Sequence, residues 1–518
     1  MDKSLHGKPP LRQLTPGFGA RLKAAAIFVH RWMGVALCLL FLMWFSSGFV
    51  MMYWEYPSVS AADRLSRAPA LDPLAIRLLP QQAYVQLKTS WPPDKVVLEM
   101  FDGRPVYTFR FGEDEKTVYA DDGQEQGDFP AEITLRVASA WARQSSDAAK
   151  MEELTEEDQW TVAGEFRDLE PIRRYTWPDG EQVYVSTVTG KVVQYTTRAA
   201  RAGAYLGAIP HWLYFTRLRK HARPWSRLVI WSSGLGTVLA ILGMVIGIWI
   251  YSPSKRYRYA GGPSSIPYVG QKRWHSILGL SFGLFACTWA FSGMLSMGPI
   301  PQVQEGNLDE VNAKFATALQ GSLPELNAFA AKSPQEALLQ IGPAWQTKRL
   351  ELASFAGAPL YLATGAENQS RIIPTAGEWF TQFSNEQIIE VLEQAARPAT
   401  ITQTRLITEY ESYYLDRHNR LPLPVIFVQL NDRDSSSFYI DPKTAQIVQS
   451  YNFHSRWNRW LYHGLHSMDF PWLYKHRPAW DVVVLALLAA GVSLCVTSLM
   501  LAWSVVRRKM TFRTGNTP

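Results

Sequence analysis

Residues 30–52 read HRWMGVALCLLFLMWFSSGFVMM, and residues 275–297 read HSILGLSFGLFACTWAFSGMLSM. Laid over one another without a gap, they match His30 with His275, Gly34 with Gly279, Trp44 with Trp289, Ser47 with Ser292, Gly48 with Gly293 and Met52 with Met297. Each run is apolar for about 20 residues, the length that crosses ~30 Å of hydrocarbon. Two more stretches, 228–251 and 482–503, have the same character. None of the segments 32–53, 228–251, 277–297 and 482–503 contains Asp, Glu, Lys or Arg. The sequence therefore predicts four transmembrane helices. Small residues follow the first (Ser58 to Ala62), as after a signal peptide. Its apolar core nevertheless exceeds the usual 7–15 residues, and its twin lies deep in the chain, so it reads as an uncleaved anchor.

A second register also runs without a gap. Setting His211 on His466 places Tyr184 on Tyr439, Thr189 on Thr444, Gln194 on Gln449, Leu206 on Leu461, Phe215 on Phe470, His221 on His476 and Trp225 on Trp480. The chain then reads as a tandem repeat, each half a helix, a polar domain and a second helix. Two spans return the chain to its starting side, so both halves share one topology, and parallel repeats are related by an axis along the membrane normal. Matched residues are expected at equal depth, facing each other across that axis.

The chain carries a net charge of +7. A basic balance can signal nucleic acid, but here the cations flank apolar segments, and nucleic acid is not expected as a partner. Lys3, Lys8, Arg12, Arg21, Lys23 and Arg31 precede the first span, Lys255, Arg256, Arg258, Lys272 and Arg273 lie between the second and third, and Arg507, Arg508, Lys509 and Arg513 follow the fourth. The positive-inside rule makes that side cytoplasmic. The expected layout is a cytoplasmic tail (1–31), span (32–53), outer domain (54–227), span (228–251), cytoplasmic loop (252–276), span (277–297), outer domain (298–481), span (482–503) and cytoplasmic tail (504–518). The outer segments belong in the periplasm of a two-membrane bacterium, with both termini cytoplasmic. Alternating runs such as Arg104–Phe111, Gln182–Ser186 and 424–430 predict strands, and 130–153 and 384–396 predict helices, so these domains read as small α+β units. Cys38, Cys287 and Cys495 all fall inside apolar segments and give no disulfide framework.

At 100° per residue, His30, Gly34, Trp44, Gly48 and Met52 share one helix face, and their matches do so in the third span. Ionisable residues inside membranes are costly and functional by default. Glycine beside histidine lets something flat approach the backbone, and an imidazole on the facing helix supplies a second axial ligand, as for haem in a helical bundle. Plain helix packing through small residues is the alternative. His211 and His466 are candidate ligands of a second haem, with His221 and His476 as the other choice. Arg217, Arg223 and Arg477 suit either propionates or anionic lipid. His463 matches Ala208, and His6, His418 and His454 have no match; His418 is at most a substrate contact. No metallohydrolase, nucleophile-elbow or dinucleotide motif occurs, so an electron donor would be separate.

His30-Arg-Trp-Met-Gly34 opening an apolar helix that closes on Ser47-Gly48, the twin at His275, and units ending Thr189-Gly190 resemble the PepSY-associated transmembrane family. Tyr439-Ile-Asp-Pro-Lys-Thr444 resembles the usual Tyr-x-Asp-Pro-x-Thr-Gly ending, with Ala445 in place of glycine. The resemblance covers nearly the whole chain. It implies a membrane α-helical protein with two periplasmic α+β PepSY-like domains, located in the bacterial inner membrane. Some family members are dihaem reductases that release iron from ferric siderophores. The resemblance thus implies two haem b groups on His30, His275, His211 and His466, beside Gly34 and Gly279, with a siderophore or other iron chelate as substrate and the lipid bilayer as surroundings. PepSY units elsewhere act as inhibitory propeptide domains, so a non-enzymatic protein that binds or regulates a periplasmic protease or peptide is the other expectation.

Overall fold

The computed structural model of this chain describes residues 18–127, 129–259, 261–299, 308–366, 369–416 and 418–514. Lys3, His6, Lys8 and Arg12 lie outside them. The chain divides into a span unit (Met1–Phe49, Arg227–Met297 and Pro478–Pro518) and a sheet unit (Val50–Ser226 and Gly298–Arg477).

Four helices long and apolar enough to cross a membrane make up the span unit: Phe18–Met51, Ala222–Ile250, Gln271–Leu295 and Ala479–Thr514. Each starts before its apolar run. Hydropathy marks only the lipid-facing part, whereas the preceding residues, such as Arg21, Leu22, Lys23 and Ala24, are good helix formers in their own right. His30 and His275 therefore sit inside their helices rather than at the starts.

Small residues let these helices approach closely, as is usual where lipid removes the hydrophobic drive between helices. A Cβ on Gly48 would lie 2.8 Å from a Leu488 methyl group, one on Gly236 would lie 2.6 Å from the Phe41 ring, and one on Gly247 would lie 2.8 Å from Leu280. Phe45 and Trp289 meet with ring centroids 5.7 Å apart. The first span thus touches all three others.

The sheet unit revises the expected layout. Residues 54–227 and 298–481 do not fold as two separate domains. Strands from both build one antiparallel seven-stranded sheet, ordered Ser370–Pro374, Ala358–Thr364, Arg349–Phe355, Lys95–Phe101, Arg104–Phe111, Asp114–Tyr119 and Glu125–Gln126. At the junction Val96 faces Leu352 and Leu98 faces Leu350. Val96, Leu98, Tyr107, Phe109, Leu350 and Tyr361 are all buried in one core that both segments supply. Neither segment could cover these strand faces alone.

Each segment also has its own four-stranded antiparallel sheet. One runs Lys150–Leu154, Ile172–Thr176, Gln182–Ser186, Val192–Thr196, and the other runs Ile401–Ile407, Val425–Leu430, Ser437–Asp441, Gln446–Tyr451. The helix Ala131–Ala142 covers the first through Ala138 and Trp141. The helix Asn385–Ala396 covers the second through Ile388 and Leu392. The helix expected over 130–153 is thus shorter, because Arg143 turns left-handed and ends it, and Lys150–Leu154 is a strand. Both sheets shift register at matched places, between Tyr184 and Val185 and between Tyr439 and Ile440.

Candidate haem-binding histidine pairs

The first site is built by all four spans. The rings of His30 and His275 lie with centroids 6.3 Å apart and planes inclined at 45°. Two imidazoles bonded to opposite sides of one metal, each at ~2.0 Å, put their ring centres roughly 6 Å apart. Both rings line a cavity of about 420 Å³ within the span unit, inside the ~300–1,000 Å³ range of cofactor sites. Gly34 and Gly279 line it too, and nothing lies within 4 Å of where their Cβ atoms would be. The remaining wall is mainly aliphatic, with Leu239, Ile246, Leu280 and Leu494 among it.

Neighbouring spans decide which ring nitrogen is available. His30 Nδ1 lies 3.2 Å from the Leu239 carbonyl oxygen. A carbonyl only accepts, so Nδ1 carries a proton and Nε2 is the nitrogen left for a ligand. His275 Nδ1 lies 3.3 Å from both Thr497 Oγ1 and Ser498 Oγ. Those hydroxyls donate to the Leu494 carbonyl at 2.8 and 2.9 Å. Their protons are committed, so they accept from His275 Nδ1–H. In both imidazoles Nε2 is therefore the nitrogen left for a ligand, the arrangement that metal-binding histidines take from their second partners. Gly243 makes room for the first ring, since a Cβ there would lie 2.8 Å from His30 Cε1.

The second pair lies in the sheet unit. His211 and His466 meet edge to face with ring centroids 6.1 Å apart and planes at 74°. Each follows the last strand of its four-stranded sheet. Thr197 caps the helix Arg198–Leu206, after which the helix Ala208–Trp212 carries His211. Asn452 caps the helix Phe453–Asn458, which continues through a π-helical turn, Arg459–Gly464, into Leu465–Ser467, the turn that carries His466. Such widened turns often mark functional sites. Two residues after each histidine the backbone turns left-handed, with φ of 54° at both Leu213 and Met468. That conformation costs a side-chain-bearing residue energy, and both side chains are buried to offset it.

A family model described as PepSY-associated TM region matches residues 27–350 and again residues 272–517. The chain belongs to this family. It is a multi-pass membrane protein with sheet-rich regions between its spans. No curated protein matches this PepSY-associated chain.

Of the expected site residues in this family member, the four histidines His30, His275, His211 and His466 come together in two pairs, and Gly34 and Gly279 line the span cavity. The other candidate residues lie elsewhere. Gly48 does not border that cavity but packs on Leu488, and Trp289 packs on Phe45. His221 and His476 are exposed; Nδ1 of His476 donates to the Trp472 carbonyl 2.6 Å away. Arg217 and Arg223 are exposed, and Arg477 lies 5.4 Å from the Tyr474 ring centre. His418 pairs with Glu55 at 2.5 Å. Among the described residues no group of three or more His, Cys, Asp or Glu converges as a metal site would need.

Three cavity-lining residues of this PepSY-associated chain were not singled out as site residues: Arg31, Tyr268 and Lys272. Arg31 and Lys272 read in sequence as ordinary flanking charge. Arg459 was also missed. It is buried, donating from Nε to the Ser412 carbonyl at 3.1 Å and from Nη2 to the Asp469 carbonyl at 2.6 Å, while Nη1 has no protein partner. Its match in the first half is Ala204, so the repeat gave no signal.

Proposed function

We propose that this chain is a haem-b electron-transfer protein of the bacterial inner membrane that reduces a periplasmic ferric chelate, such as a ferric siderophore, with electrons from a cytoplasmic or quinol donor. The observation that carries the reading is the His30–His275 pair, two imidazoles held through Nδ1 with 6.3 Å between ring centres, on a cavity where two glycines leave open space. His30 and His275 would hold one haem, and His211 and His466 the other. When bound, the two groups supply one-electron chemistry at potentials set by axial ligation and burial.

The protein's own residues do the rest. Leu239, Thr497 and Ser498 hold the span imidazoles in the ligating tautomer. The mainly aliphatic cavity wall keeps the dielectric low around any charge change. The cations around the first, third and fourth spans support cytoplasmic termini, and the residue matches at two fixed offsets support a duplicated two-span unit. The sheet unit then faces the periplasm, where the exposed cations Arg217 and Arg223 favour an anionic chelate.

The test is a spectrum of the protein purified in mild detergent, before and after dithionite. The expected result is a reduced b-type spectrum with two haems per chain, half of the haem lost in His30→Ala and half in His211→Ala, and reoxidation by a ferric chelate. Colourless protein from haem-replete cells would overturn the reading and leave a non-enzymatic PepSY binding protein.

A further inference from the structure

The span cavity has a charge pattern that histidine ligation does not use. Among the described residues its wall includes two cations, Arg31 and Lys272, and no Asp or Glu. Lys272 lies at the start of the third span, and Arg31, next to His30, has its guanidinium beside the ring of Phe28, nearer the start of the first. Lys272 stands three residues before His275, so both project from one side of that helix. Neither cation pairs with a carboxylate among the described residues. Among the described residues the Arg31 guanidinium meets the rings of Phe28 and Trp32, each at 5.7 Å, and Lys272 Nζ meets the Tyr268 ring at 5.9 Å.

A mainly apolar cavity lined by two cations beside the imidazoles, with no carboxylate among the described residues of its wall, is complementary to a flat apolar body that carries two carboxylates on one edge. We infer that Arg31 and Lys272 bind those two carboxylates, which on the proposed function are the propionates of the haem between His30 and His275. Carrying two carboxylates to the edge of hydrocarbon without countercharge is costly. Arg31 offers forked N–H groups, and Lys272 a point charge, to offset that cost. The role differs from that of the histidines: the cations set affinity and the orientation of the macrocycle's edge, and bond no metal. The same two cations could otherwise bind lipid phosphate, and the test separates these sources.

The experiment titrates protein from haem-depleted cells, in detergent, with ferric haem and separately with its dimethyl ester, which keeps the ring but removes both charges. Visible absorption follows binding of each equivalent. Replacing both cations (R31Q with K272Q) is expected to weaken one of the two haem equivalents by about tenfold or more, leaving the other unchanged. The ester is expected to bind the parent and the double variant alike. The charge-keeping pair R31K with K272R is expected to retain most of the affinity, which shows that the fold is intact. A double variant that binds both equivalents of haem as tightly as the parent overturns the inference and assigns the cations to lipid. A parent protein that binds no haem overturns the proposed function itself, an outcome that no change at Arg31 or Lys272 reproduces.

Discussion

His30 Nδ1 donates to the carbonyl oxygen of Leu239 across 3.2 Å, a bond from the first span to the second. It fixes both the ring plane and the tautomer. His275 reaches the same tautomer through hydroxyls of the fourth span, Thr497 and Ser498. Backbone cannot be mutated away, but hydroxyls can. The double change Thr497→Val and Ser498→Ala removes the acceptors of His275 Nδ1–H. Loss of such second partners typically costs 10–100-fold in metal-site affinity or activity. The expected outcome is haem binding weakened by about tenfold at one of two equivalents. An unchanged titration would show that the ring is held by packing alone.

Gly243 separates positioning from ligation. Its replacement by Ala puts a Cβ 2.8 Å from His30 Cε1, tighter than side chains tolerate. The ring must shift while both ligands remain. Gly243→Ala is expected to keep roughly normal expression and the outer-pair signal but to broaden or shift the absorption of the haem at His30. Gly19→Ala, near the start of the same first span, outside the cavity and with nothing within 4 Å of its Cβ, serves as the control.

Gly190 and Ala445 occupy matched left-handed positions, with φ of 67° and 53°. Left-handed backbone costs an L residue roughly 1–2 kcal/mol. Ala445→Gly is therefore expected to stabilise the sheet unit by about 1 kcal/mol, a rise in Tm. The reverse change is expected to do more harm. A Cβ on Gly190 would sit 2.5 Å from the Phe129 ring and 2.8 Å from Phe101, so Gly190→Ala adds steric overlap to strain and should cost more than ~2 kcal/mol. A stabilised Gly190→Ala protein would contradict this account.

Burial pushes the Asp441 carboxyl above the ordinary Asp range, against the hydrogen bonds it accepts from Lys443 N at 3.0 Å and Thr444 Oγ1 at 3.1 Å. The folded state then binds the proton more tightly than the unfolded chain. Stability is greatest where Asp441 is protonated in both states, and part of it is lost as pH rises from ordinary Asp values through the raised one. Asp441→Asn has no such loss. The Tm difference between the variant and the parent is expected to shift in the variant's favour as pH rises above the ordinary Asp range. A difference that stays flat with pH would count against a raised carboxyl.

The shared sheet makes the two halves of the chain interdependent. A chain cut after the second span leaves the strand Lys95–Phe101 without its partner Arg349–Phe355, and an open apolar strand edge is an aggregation site. Either half made alone is expected to be protease-sensitive and aggregated, and coexpression of both should restore a folded protein. Independently folded halves would contradict the seven-stranded sheet.

Much of this was legible before any fold. Charge-free runs of about 20 residues place the spans, because hydrocarbon tolerates little else. The register that sets His30 on His275 and His211 on His466 names the pairs that meet in space. The strands Arg104–Phe111 and Gln182–Ser186 followed from alternation. Other features had no local signature. That Lys95–Phe101 and Arg349–Phe355 are neighbours depends on chain closure over some 250 residues, and pattern within one strand says nothing of its partner. Which glycine faces a cavity and which packs on Leu488 depends on the shape of the facing helix, not on helix phase. The tautomers of His30 and His275 were decided by Leu239, Thr497 and Ser498, distant in sequence and brought near only by packing. One-dimensional pattern carries burial and periodicity, which are averages over a residue's surroundings. Hydrogen-bond direction and open space belong to particular neighbours, and only the tertiary structure supplies them.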